Sequence, residues 1–83
     1  MGTFTVTVYS KPQCVQCDAT KRELRKRGME FTEVDIAESD SAREYVTEEL
    51  GYFQAPVVVV EDGTVEAHWS GFRIDQIKRI AAL

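Results

Sequence analysis

Residues 3–28 read TFTVTVYSKPQCVQCDATKRELRKRG and contain both cysteines of the 83-residue chain. Residues 3–10 alternate in polarity and are rich in β-branched and aromatic side chains, which predicts a strand. Residues 11–13 interrupt it, and a helix is predicted from residue 14 or 15 to residue 27, with Gly28 as its C-terminal cap. The inner face of this helix is predicted to carry Cys17, Thr20 and Leu24.

Three more strands are predicted downstream of this unit. The second strand spans residues 30–36, where apolar residues alternate with polar ones. The third spans residues 57–61, and its continuous apolar run indicates burial on both faces. Asp62-Gly63 is a strong hairpin turn, so residues 64–69 are predicted to return as the fourth strand.

Two more helices complete the chain. Residues 39–41 supply helix caps, and Ser41 with Glu44 three residues later matches a capping box. Gly51 ends this second helix. The terminal helix begins near residue 74, because apolar residues recur there at helical spacing: Ile74, Ile77, Ile80 and Ala81.

The predicted order is therefore β-α-β-α-β-β-α. Strands separated by a helix are expected to pair in parallel through a right-handed crossover, whereas the final hairpin is antiparallel. An α/β fold with a four-stranded mixed sheet flanked by three helices satisfies both requirements. A chain of 83 residues allows one domain, spanning residues 1–83.

The composition is ordinary for a globular domain, with 43% hydrophobic and 29% charged residues. The longest pure apolar run, residues 56–60, is far shorter than the ~18 residues that span a bilayer. Residues 1–6 lack the charged start and apolar stretch of a secretory signal. We therefore expect a cytoplasmic protein that contacts no membrane, in a compartment where stable structural disulfides are rare.

The charges are unevenly distributed within a formal net charge of −4. Residues 1–28 carry six basic against two acidic side chains, residues 29–66 one against eleven, and residues 67–83 three against one. No basic stripe is interleaved with aromatic residues, so nucleic acid is not an expected partner. Two interpretations stay open: a solvated surface of mixed sign, or a basic end that attracts an acidic partner.

The two cysteines form one motif, Cys14-Val15-Gln16-Cys17. In a cytosolic protein, Cys-x-x-Cys beside a βαβ pattern is typical of a thioredoxin-like redox site. Free backbone N–H groups and the positive end of the helix dipole should meet at Cys14 and favour its thiolate, and Lys11 adds a nearby cation. Helical spacing places Cys17 beside it, so Cys14 is predicted to attack a disulfide and Cys17 to resolve the mixed disulfide.

Other roles for the cysteine pair are weaker. A zinc site needs two more soft ligands, and the chain offers only His68. A metal or iron–sulfur site shared between two chains stays possible, but nothing in the sequence requires it. His68 is interpreted as an exposed or hydrogen-bonded strand residue rather than a proton shuttle.

Pro56 stands at the start of a buried strand, where it cannot donate to the sheet. Base rates for proline alone favour a trans bond. In combination with the Cys-x-x-Cys topology, a cis Ala55–Pro56 bond is predicted. Such a bond would leave the backbone groups of Ala55 free to pair with an extended substrate segment.

The segment Trp69-Ser70-Gly71-Phe72-Arg73 is a third candidate for the site. Trp69 has two interpretations, core packing or a place beside the cysteines. Gly71 allows close approach of the backbone, and Arg73 is either solvated or bound to a partner carboxylate. The remaining aromatic residues are interpreted as packing residues: Phe4, Tyr9, Phe31, Tyr45 and Phe53.

Three segments together resemble the NrdH-redoxin family. They are Lys11-Pro12-Gln13-Cys14-Val15-Gln16-Cys17, Gln54-Ala55-Pro56-Val57-Val58 and Trp69-Ser70-Gly71-Phe72-Arg73. The resemblance covers nearly the whole chain and implies a thioredoxin fold. It further implies a small dithiol–disulfide oxidoreductase that donates electrons to class Ib ribonucleotide reductase, through its large subunit. NADPH-dependent thioredoxin reductase would reduce it again, in place of glutathione.

The resemblance also implies roles for individual residues. Cys14 and Cys17 are catalytic and form the redox-active disulfide, Lys11 tunes the thiolate, and no separate cofactor is bound. The substrate surface would comprise Val15, Gln16, Ala55, Pro56, Trp69, Ser70, Gly71, Phe72 and Arg73. The protein is expected to be a monomer.

Two departures from related patterns are visible. Ile74 stands where the family usually has proline, which suggests a slightly looser helix start with unchanged chemistry. Glutathione-binding glutaredoxins usually carry a Gly-Gly pair followed by Asp, whereas residues 70–73 here read Ser-Gly-Phe-Arg, which argues against a glutathione pocket. Two alternatives stay open: a glutathione-dependent glutaredoxin and a non-catalytic module that binds a metal or cluster.

Overall fold

A computed structural model of the chain describes residues 4–61 and 66–82. Its elements follow the predicted order: β1 (Thr5–Ser10), α1 (Val15–Lys26), β2 (Thr32–Asp35), α2 (Asp40–Glu44) with a π-helical turn (Tyr45–Glu49), β3 (Val57–Glu61), β4 (Glu66–Ser70) and α3 (Ile74–Ala81). The predicted Asp62-Gly63 turn lies outside the described residues, as do residues 64–65 of the predicted return strand. No helix in the described part of the chain is long and apolar enough to cross a membrane.

Local signals placed α1 and β3 correctly, and Gly28 follows α1 with a φ of +71°. β2 is shorter than the predicted residues 30–36, and β4 runs one residue beyond its predicted end. The boundaries of these edge strands depend on pairing partners that the sequence does not specify.

The second helix differs most from its prediction. Its cap is Ser39, whose Oγ accepts the N–H of Ala42 at 3.2 Å, so the Ser41 capping box was wrong. The α-helix ends at Glu44 and continues as a π-helical turn. The Thr47 hydroxyl donates to the carbonyl of Arg43 at 2.9 Å, and this local competition with the backbone ladder accompanies the widened turn.

The sheet has the strand order β2-β1-β3-β4. β1 pairs in parallel with β2, while β3 is antiparallel to both β1 and β4. The rule that helix-separated strands pair in parallel therefore holds for β1 and β2 but was wrong for β2 and β3, which are not neighbours. The four valines of β3 are buried, so this strand takes a central position, whereas β2 carries exposed polar side chains and forms an edge.

Apolar residues cover both faces of the sheet. On the face of α1 and α3, the core consists of Val6, Val8, Leu24, Val58, Val60, Trp69, Ile77 and Ile80. On the other face, Val46, Val57 and Val59 pack with Tyr9, Ile36, Tyr45, Leu50 and Tyr52. α1 follows the central strand β1 after a short loop and packs against the sheet through Leu24. The N-terminus of α1 therefore lies at the end of the sheet where β1 finishes.

Candidate active site

Cys14 and Cys17 form a disulfide at the N-terminus of α1, with their Cα atoms 5.2 Å apart. Cys14 is the N-cap, and its Sγ accepts the backbone N–H of Cys17 at 3.1 Å. A sulfur that accepts a helix N-terminal N–H is stabilised in its anionic form. The geometry therefore supplies the thiolate stabilisation that the sequence motif predicts.

Both cysteines are buried in the disulfide-bonded state, but not equally. Cys14 is 8% exposed and Cys17 is 1% exposed. Cys14 remains the more accessible of the two, which is the order that its role as attacking thiol requires.

The Ala55–Pro56 peptide bond is cis, as predicted. Pro56 is buried, and its carbonyl accepts the N–H of Gly71 at 2.8 Å. Ala55 is half-buried and lines a groove of about 150 Å³ together with Lys11 and Phe53. The start of β3, the loop before α1 and the loop after β4 therefore converge at one end of the molecule.

A second hydrogen bond ties the loop after β4 to the cysteine helix. The N–H of Phe72 donates to Oε1 of Gln16 at 3.2 Å. Gly71 has a φ of +83°, and a Cβ built there would lie 3.4 Å from the same oxygen. A residue between the two cysteines thus holds a loop 56 positions away along the chain.

Comparison with known proteins agrees with this arrangement. The glutaredoxin family model matches residues 6–65. The chain is 39% identical to the glutaredoxin-like protein NrdH of Escherichia coli K12, over 90% of this chain and 86% of the relative. It is 37% identical to the NrdH protein of Lactococcus lactis subsp. cremoris, over 92% of this chain and 99% of the relative.

The solved structure of Escherichia coli NrdH-redoxin superposes with a TM-score of 0.76 at 38% identity, covering 92% of this chain and 93% of that one. The chain belongs to the NrdH-redoxin family. The thioredoxin-like protein BC3987 is also similar, with a TM-score of 0.78 at 25% identity over 92% of this chain and 99% of that one. This NrdH-redoxin has the thioredoxin fold and is a thiol–disulfide oxidoreductase.

The apolar surface of this NrdH-redoxin differs from the sequence expectation at two aromatic residues. Trp69 is 4% exposed and belongs to the core, so it adds almost nothing to the surface beside the disulfide. Phe53, interpreted as a packing residue, is 87% exposed. Val15, at 83%, lies between the two cysteines in the chain, and Phe72, at 38%, is tied to Gln16 through its N–H; we call these two exposed side chains the apolar patch. The other four aromatic residues that were interpreted as packing residues do pack against the cores: Phe4, Phe31, Tyr9 and Tyr45.

Arg73 is committed to a local ion pair. Its guanidinium donates to both carboxylate oxygens of Asp75, at 3.1 and 2.9 Å. This hydrogen-bonded pairing lowers the pKa of Asp75 and raises that of Arg73, and both groups are exposed. A partner carboxylate would therefore compete with Asp75 for Arg73, at a surface position where ion pairs contribute little.

The remaining polar candidates make hydrogen bonds to nearby side chains. His68 is exposed on β4, and its Nδ1 lies 2.8 Å from the hydroxyl of Tyr52, which confirms it as a hydrogen-bonded strand residue. Ser70 lies 3.5 Å from the amide nitrogen of Gln54. Within residues 4–61 and 66–82, no group of three or more His, Cys, Asp or Glu side chains is placed to hold a metal ion.

Proposed function

We propose that this NrdH-redoxin reduces the disulfide of the large subunit of class Ib ribonucleotide reductase and is reduced again by NADPH-dependent thioredoxin reductase. The observation that carries the proposal is the apolar patch beside a helix-capping disulfide. The NrdH name of its relatives adds support for the ribonucleotide reductase partner. Exposed apolar groups around a reactive pair favour docking of a protein surface over that of a small polar thiol.

The reaction proceeds by two thiol–disulfide exchanges. The Cys14 thiolate attacks one sulfur of the partner disulfide, forms a mixed disulfide and releases one partner thiolate. The Cys17 thiolate then attacks the Cys14 sulfur, which releases the second partner thiolate and leaves the Cys14–Cys17 disulfide seen in the structure. Two electrons pass to the partner, and two protons taken up from solvent complete its dithiol.

The surrounding residues have supporting roles in this proposal. Lys11 raises the thiolate fraction of Cys14 through its charge. The backbone of Ala55, next to the cis-proline, pairs with an extended partner segment, and the apolar patch receives apolar partner side chains. Gln16, Pro56 and the loop of residues 69–73 shape this surface, with Trp69 acting from the core.

Reduction by thioredoxin reductase uses the same surface in the reverse direction. A dithiol of the flavoprotein attacks the redoxin disulfide, and NADPH restores that dithiol. The redoxin acts as a monomer, because a second copy docked on the apolar patch would block the reductase. A cytoplasmic location belongs to this proposal, since a reducing compartment keeps the cysteine pair supplied with electrons.

A glutathione-dependent glutaredoxin is the alternative. The match to the glutaredoxin family model favours it, as does the groove of Lys11 and Ala55. Against it stands Phe72, where glutathione-binding glutaredoxins usually have small residues.

A trapping experiment tests the proposed partner. In a Cys17→Ser variant the mixed disulfide cannot be resolved, so the reduced variant should form a covalent complex with the oxidised large subunit of class Ib ribonucleotide reductase on a non-reducing gel. The matched Cys14→Ser variant should trap nothing, because Cys17 is the less accessible sulfur. No complex with Cys17→Ser, or equal trapping by both variants, would contradict the proposed donor role.

A further inference from the structure

Two backbone N–H groups of the loop between β4 and α3 make hydrogen bonds to other parts of the protein. The Gly71 N–H donates to the carbonyl of Pro56 at 2.8 Å, and the Phe72 N–H donates to Oε1 of Gln16 at 3.2 Å. The first bond is backbone to backbone and belongs to the fold. The second depends on one side chain, and that side chain is exposed and lies between the two cysteines.

The Gln16 side chain matters because the N–H of Phe72 lies close to the start of α3. α3 begins at Ile74, and its N-cap, Arg73, provides no side-chain cap hydrogen bond. Phe72 directly precedes this N-cap, so its N–H lies next to the N-terminal end of α3, where the helix dipole favours an anion. Without Gln16, the Phe72 N–H would be an open donor beside the disulfide, suited to a carboxylate.

Small thiols and protein dithiols differ in how much their binding depends on a free backbone N–H. Glutathione carries two carboxylates and needs donors that fix it next to the disulfide. A protein dithiol is positioned by the shape and apolar contacts of its whole docking surface. An occupied Phe72 N–H therefore penalises glutathione more than a protein partner.

We propose that Gln16 is a specificity-determining residue, which withholds the Phe72 N–H from carboxylate-bearing small thiols and so favours reduction by protein dithiols. This inference rests on the proposed function, because it explains a preference for a protein reductase. The neutral amide of Gln16 is suited to the role, since it accepts the hydrogen bond without adding negative charge beside the Cys14 thiolate.

The reaction that Gln16 is proposed to disfavour is the reduction of the redoxin by two molecules of glutathione. One glutathione thiolate attacks Cys14, forming a Cys14–glutathione mixed disulfide and releasing the Cys17 thiolate. A second glutathione thiolate attacks the glutathione sulfur, forming oxidised glutathione and releasing the Cys14 thiolate. Two electrons enter the redoxin, the protons of the two glutathione thiols remain with the products, and NADPH with glutathione reductase reduces the oxidised glutathione.

The test compares the same substitution at two exposed glutamines near the disulfide. Gln16→Met keeps the length of the side chain but removes the acceptor, which frees the Phe72 N–H. Its KM for glutathione, in the coupled assay with glutathione reductase, should fall about tenfold with little change in kcat, since one charge-assisted hydrogen bond corresponds to about that factor. Gln13→Met is the matched control, because Gln13 is also exposed and takes no part in this bond, and its KM should stay at the wild-type value.

A second variant tests whether the acceptor oxygen is the group that matters. Gln16→Glu keeps an acceptor oxygen and adds a charge that repels carboxylates, so its KM for glutathione should equal or exceed that of wild type. An unchanged KM in Gln16→Met, or an equal decrease in Gln13→Met or Gln16→Glu, would overturn the role of Gln16.

The same proteins are assayed with NADPH and thioredoxin reductase. There, any loss of activity in Gln16→Met should be smaller than its gain with glutathione, and a loss as large as that gain would also overturn the inference. Failure of the wild type itself with thioredoxin reductase refutes the proposed function, while the comparison of glutathione KM values still reports on Gln16.

Discussion

Replacing Gly71 by alanine tests the loop of residues 69–73. The substitution has two effects: it strains a backbone with positive φ, and it adds a Cβ next to Gln16. Gly71 has a φ of +83°, where an L-residue costs about 1–2 kcal/mol. Alanine recovers about 0.4–1 kcal/mol by restricting the unfolded chain, so the net loss of folding free energy is about 1 kcal/mol. For a domain of this size, the melting temperature should fall by about 4–8 °C.

Gly51→Ala is the matched control. Gly51 has a φ of +80°, and a Cβ built there meets no atom within 4 Å, whereas the Cβ at Gly71 would lie 3.4 Å from Oε1 of Gln16. That distance is an ordinary contact, and Gln16 is exposed. The two variants should therefore lose similar stability, but only in Gly71→Ala does the backbone strain fall next to the hydrogen bond between Phe72 and Gln16.

Thermal unfolding followed by circular dichroism measures the stability of both variants, and the coupled assay with glutathione reductase measures their KM for glutathione. Gly51→Ala should keep the wild-type KM at a temperature where both variants are folded, and Gly71→Ala should have a lower KM, because Gln16 holds the Phe72 N–H less firmly. An unchanged melting temperature in Gly71→Ala would refute the backbone argument. Equal KM values in the two variants would refute the role of the loop in discriminating against glutathione.

Two pH-dependent properties are also expected. In the reduced protein, the pKa of Cys14 should lie below the ordinary ~8.5 of a free thiol, because its sulfur accepts the helix N–H of Cys17. Thiolate absorbance during a pH titration measures this pKa. A value equal to that of a free thiol would contradict the stabilisation by the helix N–H. The hydrogen bonds from Lys21 and Ser10 lower the pKa of Glu33 in the folded state. The stabilisation from Glu33 is thus present above its unfolded pKa and lost as pH falls through the lowered folded value. Because its side chain is 41% exposed, denaturant unfolding should show Glu33→Gln less stable than wild type by under about 1 kcal/mol at neutral pH. The two proteins should be equally stable in acid, below the lowered pKa of Glu33, and a difference that persists there would contradict the assignment.

Elements fixed by local signals could be predicted from the sequence. α1 is predictable because its apolar face recurs at helical spacing and Gly28 marks its end. β3 is predictable because four consecutive valines require burial on both faces. The strand order does not follow from local sequence. Nothing in the chain between β2 and β3 indicates that β3 pairs with β1, on the side of β1 that faces away from β2.

The same division applies to the site. The placement of Cys14 as a helix cap follows from a motif of four residues, so the sequence predicts it. The bond between Gln16 and Phe72 joins positions 56 apart and depends on how the sheet brings two loops together. The sequence left the place of Trp69 open and was wrong for Phe53, because hydrophobicity alone does not distinguish a buried aromatic side chain from an exposed one.

The central claim is that this NrdH-redoxin exchanges electrons with proteins through a surface that excludes glutathione. The most direct measurement is the rate at which the oxidised wild-type protein is reduced in two parallel assays at equal NADPH. One assay contains a thioredoxin reductase, and the other contains glutathione at millimolar concentration with glutathione reductase. The account predicts efficient reduction in the first and slow reduction in the second. Faster reduction by glutathione would contradict it and establish the glutaredoxin alternative.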